Sequence, residues 1–185
     1  TSDQCDPQIY AAIAAGAGLT ILPEQQGNWG YAQQEMDDET AVFTLATGIL
    51  GRLYLSGFID RMDEHRLALV RDAVALHRRV LTEQQELVPF WPARLPDFDG
   101  DWLLPSEDDD PCDYIIVWRR GGTPSVNVPL SEDCHIEQIF PNPAVPEHAP
   151  DAKPWTVERM DPETVRLNAA TSKQPSARIF AIRRA

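Results

Sequence analysis

The sequence predicts a chain of two textures, α/β up to about residue 88 and all-β beyond it. Three observations carry this. Helix and strand signals alternate before Pro89. Only Pro7 and Pro23 precede Pro89, whereas prolines recur every few residues after it. The apolar runs of the second part are short and bounded by Pro and Gly, as antiparallel strands and turns are.

Ser2-Asp3-Gln4 reads as the tail of a β-strand that delivers a carboxylate and turns at once into a helix. Asp6 is a good N-cap, and Pro7 suits the first helical position. A chain that opens on a strand end without Met reads as cut from something longer. The Ala-rich stretch from Pro7 to about Ala17 is helical. Leu19-Thr20-Ile21-Leu22, bounded by Gly18 and Pro23, suits a short buried parallel strand. A polar, Trp-containing loop is expected from Glu24 to Glu35. Asp37 and Asp38 then cap a helix running to about Leu50, with acids in its first turn as the helix dipole prefers. Arg52 to Gly57 is a second short strand. A long helix follows from about Asp63 to Glu86. Leu67, Val70, Val74 and Leu81, with Leu69, Ala73, Leu76 and Val80 alongside, give it a wide apolar stripe. This alternation is the repeat of a (β/α) barrel or of a doubly wound sheet. Two strands complete neither, so a partial barrel or a partial sheet is expected.

In the second part Tyr114 to Arg119 is the clearest strand, ended by a Gly121-Gly122 turn. Ser125 to Leu130, His135 to Phe140, Thr164 to Leu167 and Ala177 to Ile182 follow, a pattern that suggests an antiparallel sandwich. The acidic run Glu107 to Asp110 reads as an exposed turn. Trp91, Trp102, Trp118 and Trp155 are expected in the core of this part or its linker, with a secondary ligand contact as the other reading.

The formal net charge is -13. That argues against nucleic acid or an anionic membrane surface as partner, since both need Lys/Arg patches. No Lys or Arg precedes Arg52, whereas Asp3, Asp6, Glu24, Glu35, Asp37, Asp38 and Glu39 do. A phosphate ligand is therefore disfavoured there, and a neutral ligand or one developing positive charge stays open, beside a plain solvated acidic face. Cys5, Cys112 and Cys134 are odd in number and far apart, so neither a disulfide framework nor a zinc cluster is expected. No run approaches the ~20 apolar residues of a membrane span. The reading is a cytoplasmic protein without cofactor or metal, secretion staying open because a leader would precede the residues seen. His65, His77, His135 and His148 are scattered and have no partners at ligand spacing.

The Ser2-Asp3 pair followed by Cys5-Asp6-Pro7 resembles a stretch of α-galactosidase-like glycoside hydrolases, glycoside hydrolase family thirty-six and its relatives. Leu22-Pro23, Asn28-Trp29-Gly30-Tyr31, the strand Gly51 to Gly57, Pro89-Phe90-Trp91-Pro92 and Val117 to Gly122 are similar to the same family in the same order. The resemblance implies the last strands and helices of a (β/α)8 barrel over 1–88, from the end of strand six to helix eight. A C-terminal antiparallel β-sandwich would occupy 89–185. It also implies that Asp3 is the general acid/base of a retaining enzyme acting on terminal α-galactosides. The nucleophile, an Asp in a Lys-Trp-Asp type motif, is absent here and would sit in a missing upstream barrel segment. So would the Cys/Gly-rich segment and the Arg expected before the Ser-Asp pair. The implied partners are an α-galactoside oligosaccharide and that barrel segment, with a homo-oligomer also compatible. Ser-Asp-Gln-Cys-Asp departs from the commoner family form, and Ala32-Gln33-Gln34 lies where members vary, which bears on sugar specificity.

Retaining glycosidases use two carboxylates about 5–5.5 Å apart. Asp3 suits the acid/base role by position, at a strand end where barrel sites lie; its plain reading is a turn residue. Asp6 is accounted for as the N-cap. Trp29 and Tyr31 offer faces to the C–H side of a sugar, and Asn28 offers a bond to a hydroxyl. The plain alternative is that Trp29 anchors its loop. Cys5 is expected to be a buried, inert thiol. The competing readings of the whole are a non-catalytic carbohydrate-binding or structural β-sandwich module, and a sheet-edge module that assembles with a separate chain.

Overall fold

The computed structural model describes residues 2–22, 25–83, 88–108, 112–170 and 172–184. Asp6 accepts from the backbone N of Gln8 and Ile9 at 2.8 and 3.1 Å and starts helix α1, Pro7–Ala17. Strand β1 is Gly27–Tyr31, helix α2 is Asp38–Ile49, strand β2 is Arg52–Ser56 and helix α3 is Glu64–Glu83. β1 and β2 pair in parallel, Gly27 opposite Arg52 and Tyr31 opposite Ser56, with α2 as the crossover. Asp37 caps α2 by accepting from the N of Thr40, and Asp63 accepts from the N of Arg66 at the start of α3.

Two expectations in this half are corrected. Ser2 to Asp6 is irregular, not a strand end. Leu19 and Thr20 form a turn and Ile21 a bend, so Leu19–Leu22 is not the strand. Amides at the end of α1 explain this: the N–H groups of Leu19, Thr20 and Ile21 all bond back to its last turn. The strand lies instead in the expected loop, where Gly27-Asn28-Trp29-Gly30-Tyr31 alternates half-buried and buried positions up to the exposed Tyr31. Pro23 and Glu24, the predicted helix end at Glu86, and Asp109 and Asp110 of the acidic run fall outside the described residues.

The second half builds two antiparallel sheets. The larger contains β3 (Val88–Phe90), β5 (Ser106–Asp108), β6 (Cys112–Arg119), β11 (Ser176–Arg184) and β8 (Cys134–Phe140) in that order, with β4 (Trp102–Leu103) also on β6. The smaller has the order β7 (Ser125–Pro129), β10 (Thr164–Asn168), β9 (Thr156–Asp161). Ile115, Val117, Phe180 and Ile182 of the larger sheet meet Val128, Val165 and Leu167 of the smaller in one core. Tyr114, Ile116, Trp118, Ala177, Ile179 and Ala181, on the opposite face, pack with the helices in another. The larger sheet is thus covered on both faces, which is why β6 and β11 read as unbroken apolar runs rather than alternations. Trp118 and Trp155 are buried and Trp102 nearly so, as expected. Trp91 is half-buried and donates its indole N–H to the Ala15 carbonyl, tying the linker to α1.

Helix α2 is the hub, every residue except Thr40 being buried. Its Gly48 lies against Gly30 of β1, and a Cβ added at Gly48 would stand 2.8 Å from Gly30 Cα and 2.4 Å from Leu53 Cδ1. On α3 the row Leu69, Ala73, Leu76 and Val80 faces inward, whereas Leu81 is exposed. Glu39 of α2 receives both terminal nitrogens of Arg178 at 2.7 and 2.8 Å, with both side chains almost fully buried. Breaking such a pair from one side leaves an uncompensated buried charge. Glu39→Gln is expected to cost about 3–5 kcal/mol in a urea melt; an unchanged midpoint would mean that the pair does not hold the layers together. Gly48→Ala is expected to cost about 1–3 kcal/mol by overpacking, read in the same way.

His77 of α3 is half-buried, with Nε2 2.7 Å from the Gly51 carbonyl and 3.1 Å from the Leu53 N. Burial holds its pKa below the ordinary 6.5, partly offset by the Gly51 carbonyl. The unfolded chain therefore takes up a proton first as pH falls. Stability present above pH 6.5 should decline below it, until the depressed folded pKa is passed. His77→Gln should flatten this part of a Tm-against-pH curve; an identical slope in the variant would remove His77 as its source.

Candidate functional site

A cavity of about 240 Å³ opens where the N-terminal segment crosses the end of β1. Tyr10 from α1, Trp29 and Tyr31 from β1, and Thr40, Thr44 and Thr47 from α2 form its walls, with Gln4, Cys5 and Gln33 among the polar contributors. Each is placed by a local cause. Alternation along β1 sends Asn28 and Gly30 inward and leaves Trp29 and Tyr31 on the other face. The Trp29 N donates to the Tyr10 hydroxyl at 2.8 Å, fixing strand to helix. Trp29 packs on Tyr54 with ring centroids 5.8 Å apart. Thr40, Thr44 and Thr47 recur at spacings of four and three, so one face of α2 is lined with hydroxyls. Thr44 donates to the Tyr31 carbonyl, and Thr47 accepts from the Trp118 indole at 3.1 Å.

Among the described residues that line the cavity, none is an Asp, Glu, Lys or Arg. The chemistry of the walls is apolar and aromatic surface with a few amides and hydroxyls, which suits a neutral polyhydroxyl ligand better than an ion. Carboxylates stand nearby in structural roles. The Thr40 hydrogen bonds hold the Asp37 carboxyl below its ordinary range, helped by Lys173. Asp63 is held low by the Arg66 N–H and by Gln34, whose amide also accepts from the Asp63 N at 2.8 Å. Gln34 thereby pins the segment after β1 to α3, while Gln33 lines the cavity.

Of the four residues singled out from sequence, Trp29 and Tyr31 meet in the cavity. They do so from a strand rather than from the expected loop. Asn28 does not join them: it is fully buried, and its side-chain oxygen accepts from Gln26 Nε2 at 3.2 Å. Asp3 is exposed and is not among the lining residues, although Gln4 and Cys5 beyond it are. Cys5 is exposed rather than buried, because it stands in the irregular segment before α1 with its thiol 3.7 Å from the Asp3 carbonyl. The sequence reading missed Tyr10 and the threonine face of α2. The 40, 44, 47 spacing was the available signal, obscured because capping and burial explained that helix without it. Among the described residues no cluster of His, Cys, Asp and Glu is arranged to hold a metal ion, and no helix is long and apolar enough to cross a membrane.

No protein-family model and no curated protein matches the chain. Solved structures do, and they define the class of fold. All 100% of the chain superposes on the galactosidase domain of an α-galactosidase–sucrose kinase, with TM-score 0.67 and 14% identity. It superposes equally fully on a variant GH36 α-galactosidase from Geobacillus stearothermophilus in complex with 1-deoxygalactonojirimycin, with TM-score 0.64 and 13% identity. The chain spans 25% of the length of each. Its fold is thus that of a quarter of these α-galactosidase structures. The antiparallel sheets match the β-rich C-terminal part of such enzymes, as the sequence resemblance implied.

Proposed function

We propose that these residues form the C-terminal part of a retaining glycoside hydrolase that cleaves terminal α-galactosides. One observation carries the reading: the end-to-end superposition of the chain on a quarter of two α-galactosidase structures. In this reading β1, α2 and β2 are two neighbouring strands of a (β/α)8 barrel with their crossover helix. The cavity beside the end of β1 then lies where barrel sites lie, and Trp29 and Tyr31 take the C–H face of the sugar.

Asp3 is the general acid/base: it protonates the leaving oxygen, then takes a proton from the attacking water. The nucleophilic carboxylate is supplied outside these residues. A catalytic acid needs burial or a second carboxylate to keep its proton at working pH. Asp3 is exposed in this chain, so the upstream barrel segment supplies that environment. The outer surface of the helical half supports such a segment. Leu19, Leu22, Tyr54, Phe58 and Ile59 are exposed there, and among the described residues β1 and β2 pair only with each other. Open parallel edges and apolar surface of this kind are normally covered.

A second reading, a sugar-binding module without catalysis, is favoured by the place of Asp3 outside the cavity lining. Activity separates the two. The 185-residue chain alone should not turn over an aryl α-galactoside. A longer protein carrying the upstream segment should, and Asp3→Ala in it should lower kcat about 10²–10⁴-fold, with added azide yielding the α-galactosyl azide. An active longer protein indifferent to Asp3→Ala would remove Asp3 from the mechanism. An inactive one that still binds galactosides would favour the second reading.

A further inference from the structure

A second cavity, of about 270 Å³, lies between α3 and the end of β8. Its apolar floor is Leu76, Ile139 and Phe140. Its polar groups are Asp72 and Arg79 from α3 and Asn142 from the segment after β8. None of these belongs to the Trp29–Tyr31 cavity.

The polar groups are set by their own contacts. His148 Nδ1 lies 2.6 Å from Asp72 Oδ2 and donates to it, which orients the carboxylate and leaves its other oxygen as an acceptor. Asn142 Oδ1 accepts from the Ala144 N at 3.0 Å, which leaves its NH₂ to donate. Arg79 is exposed and has no ion pair among the described residues. The cavity thus presents an anionic acceptor, a cationic fork and an amide donor over an apolar floor. A ligand with a single charge is attracted by one of these groups and repelled by the other, so neither sign is favoured, and a zwitterion is the competing occupant. A neutral ligand whose hydroxyls both donate and accept satisfies all three groups, and its C–H face covers the floor. The volume falls just below the ~300–1,000 Å³ of drug-sized sites, which suits one sugar ring rather than a chain.

We infer that this cavity is a monosaccharide-binding site, separate from the proposed catalytic one. The inference holds whether or not Asp3 is catalytic. The test is an amide NMR titration of the 185-residue chain with galactose and with glucose, acetate serving as the anionic control. Saturable shifts are expected at residues 72–79 and 139–142 with a millimolar Kd for at least one hexose. Arg79→Ala and Asn142→Ala should each weaken it about tenfold, roughly 1.4 kcal/mol, with an unchanged Tm for Arg79→Ala. Trp29→Ala should leave these shifts in place. Absence of shifts there, shifts unaltered in both variants, or tighter binding of acetate, or of the zwitterion glycine, than of either hexose would overturn the site.

Discussion

The Glu39–Arg178 pair is the contact on which the arrangement depends. Glu39 stands in the first turn of α2, and Arg178 lies on β11, in line with Phe180 and Ile182 of the sandwich core. The guanidinium also bonds the Lys153 carbonyl and Ser172, and sits 5.4 Å from the Trp155 ring. One buried cation thus reaches the helical layer, the central sheet and the sandwich core. Its geometry is the bidentate fork that guanidinium and carboxylate favour. Two charges so deeply buried are tolerable only because each satisfies the other and the remaining donors find carbonyl and hydroxyl oxygens.

From that fixed point the packing follows. The close Gly30–Gly48 approach lets β1 and β2 lie on one side of α2, while the larger sheet covers the other. The segment after β8 is fastened back onto the helices. His65 lies 3.1 Å from the Glu147 carbonyl and 3.2 Å from Asp38, the Asp151 N donates to Asp38 at 3.1 Å, and His148 pairs with Asp72. Two of the histidines that looked scattered in sequence, His65 and His148, hold the β-rich half to the helical half. The second cavity lies along this junction, beside the Asp72–His148 contact, whereas the first is walled by the helical half alone, over the threonine face of α2.

The Trp29–Tyr31 cavity owes its character to the same layering. A helix buried almost throughout would ordinarily carry no hydroxyl row, since buried hydroxyls cost stability without partners. Here Thr44 and Thr47 bond carbonyls of their own helix and are tied to Tyr31 and Trp118. The polar wall is therefore part of the core as well as of the site.

The sequence by itself determined the helices, the caps at Asp6 and Asp37, β2, and the principal strands of the sandwich. These rest on contacts within a few residues: cap hydrogen bonds, apolar periodicity, Pro and Gly punctuation. It also singled out Trp29 and Tyr31 together, but as loop residues; that they share one face of a strand came from the structure. What only the tertiary structure decided was everything set by distant partners. Gly27–Tyr31 has weak local strand signal, and it is a strand because β2 pairs with it and α2 accepts its glycine. Leu19–Leu22 has the stronger signal but is consumed by the end of α1. Asn28 turned inward, Cys5 outward, and Arg178 found Glu39 across 139 positions. Such choices depend on which surfaces meet, and no local pattern records that.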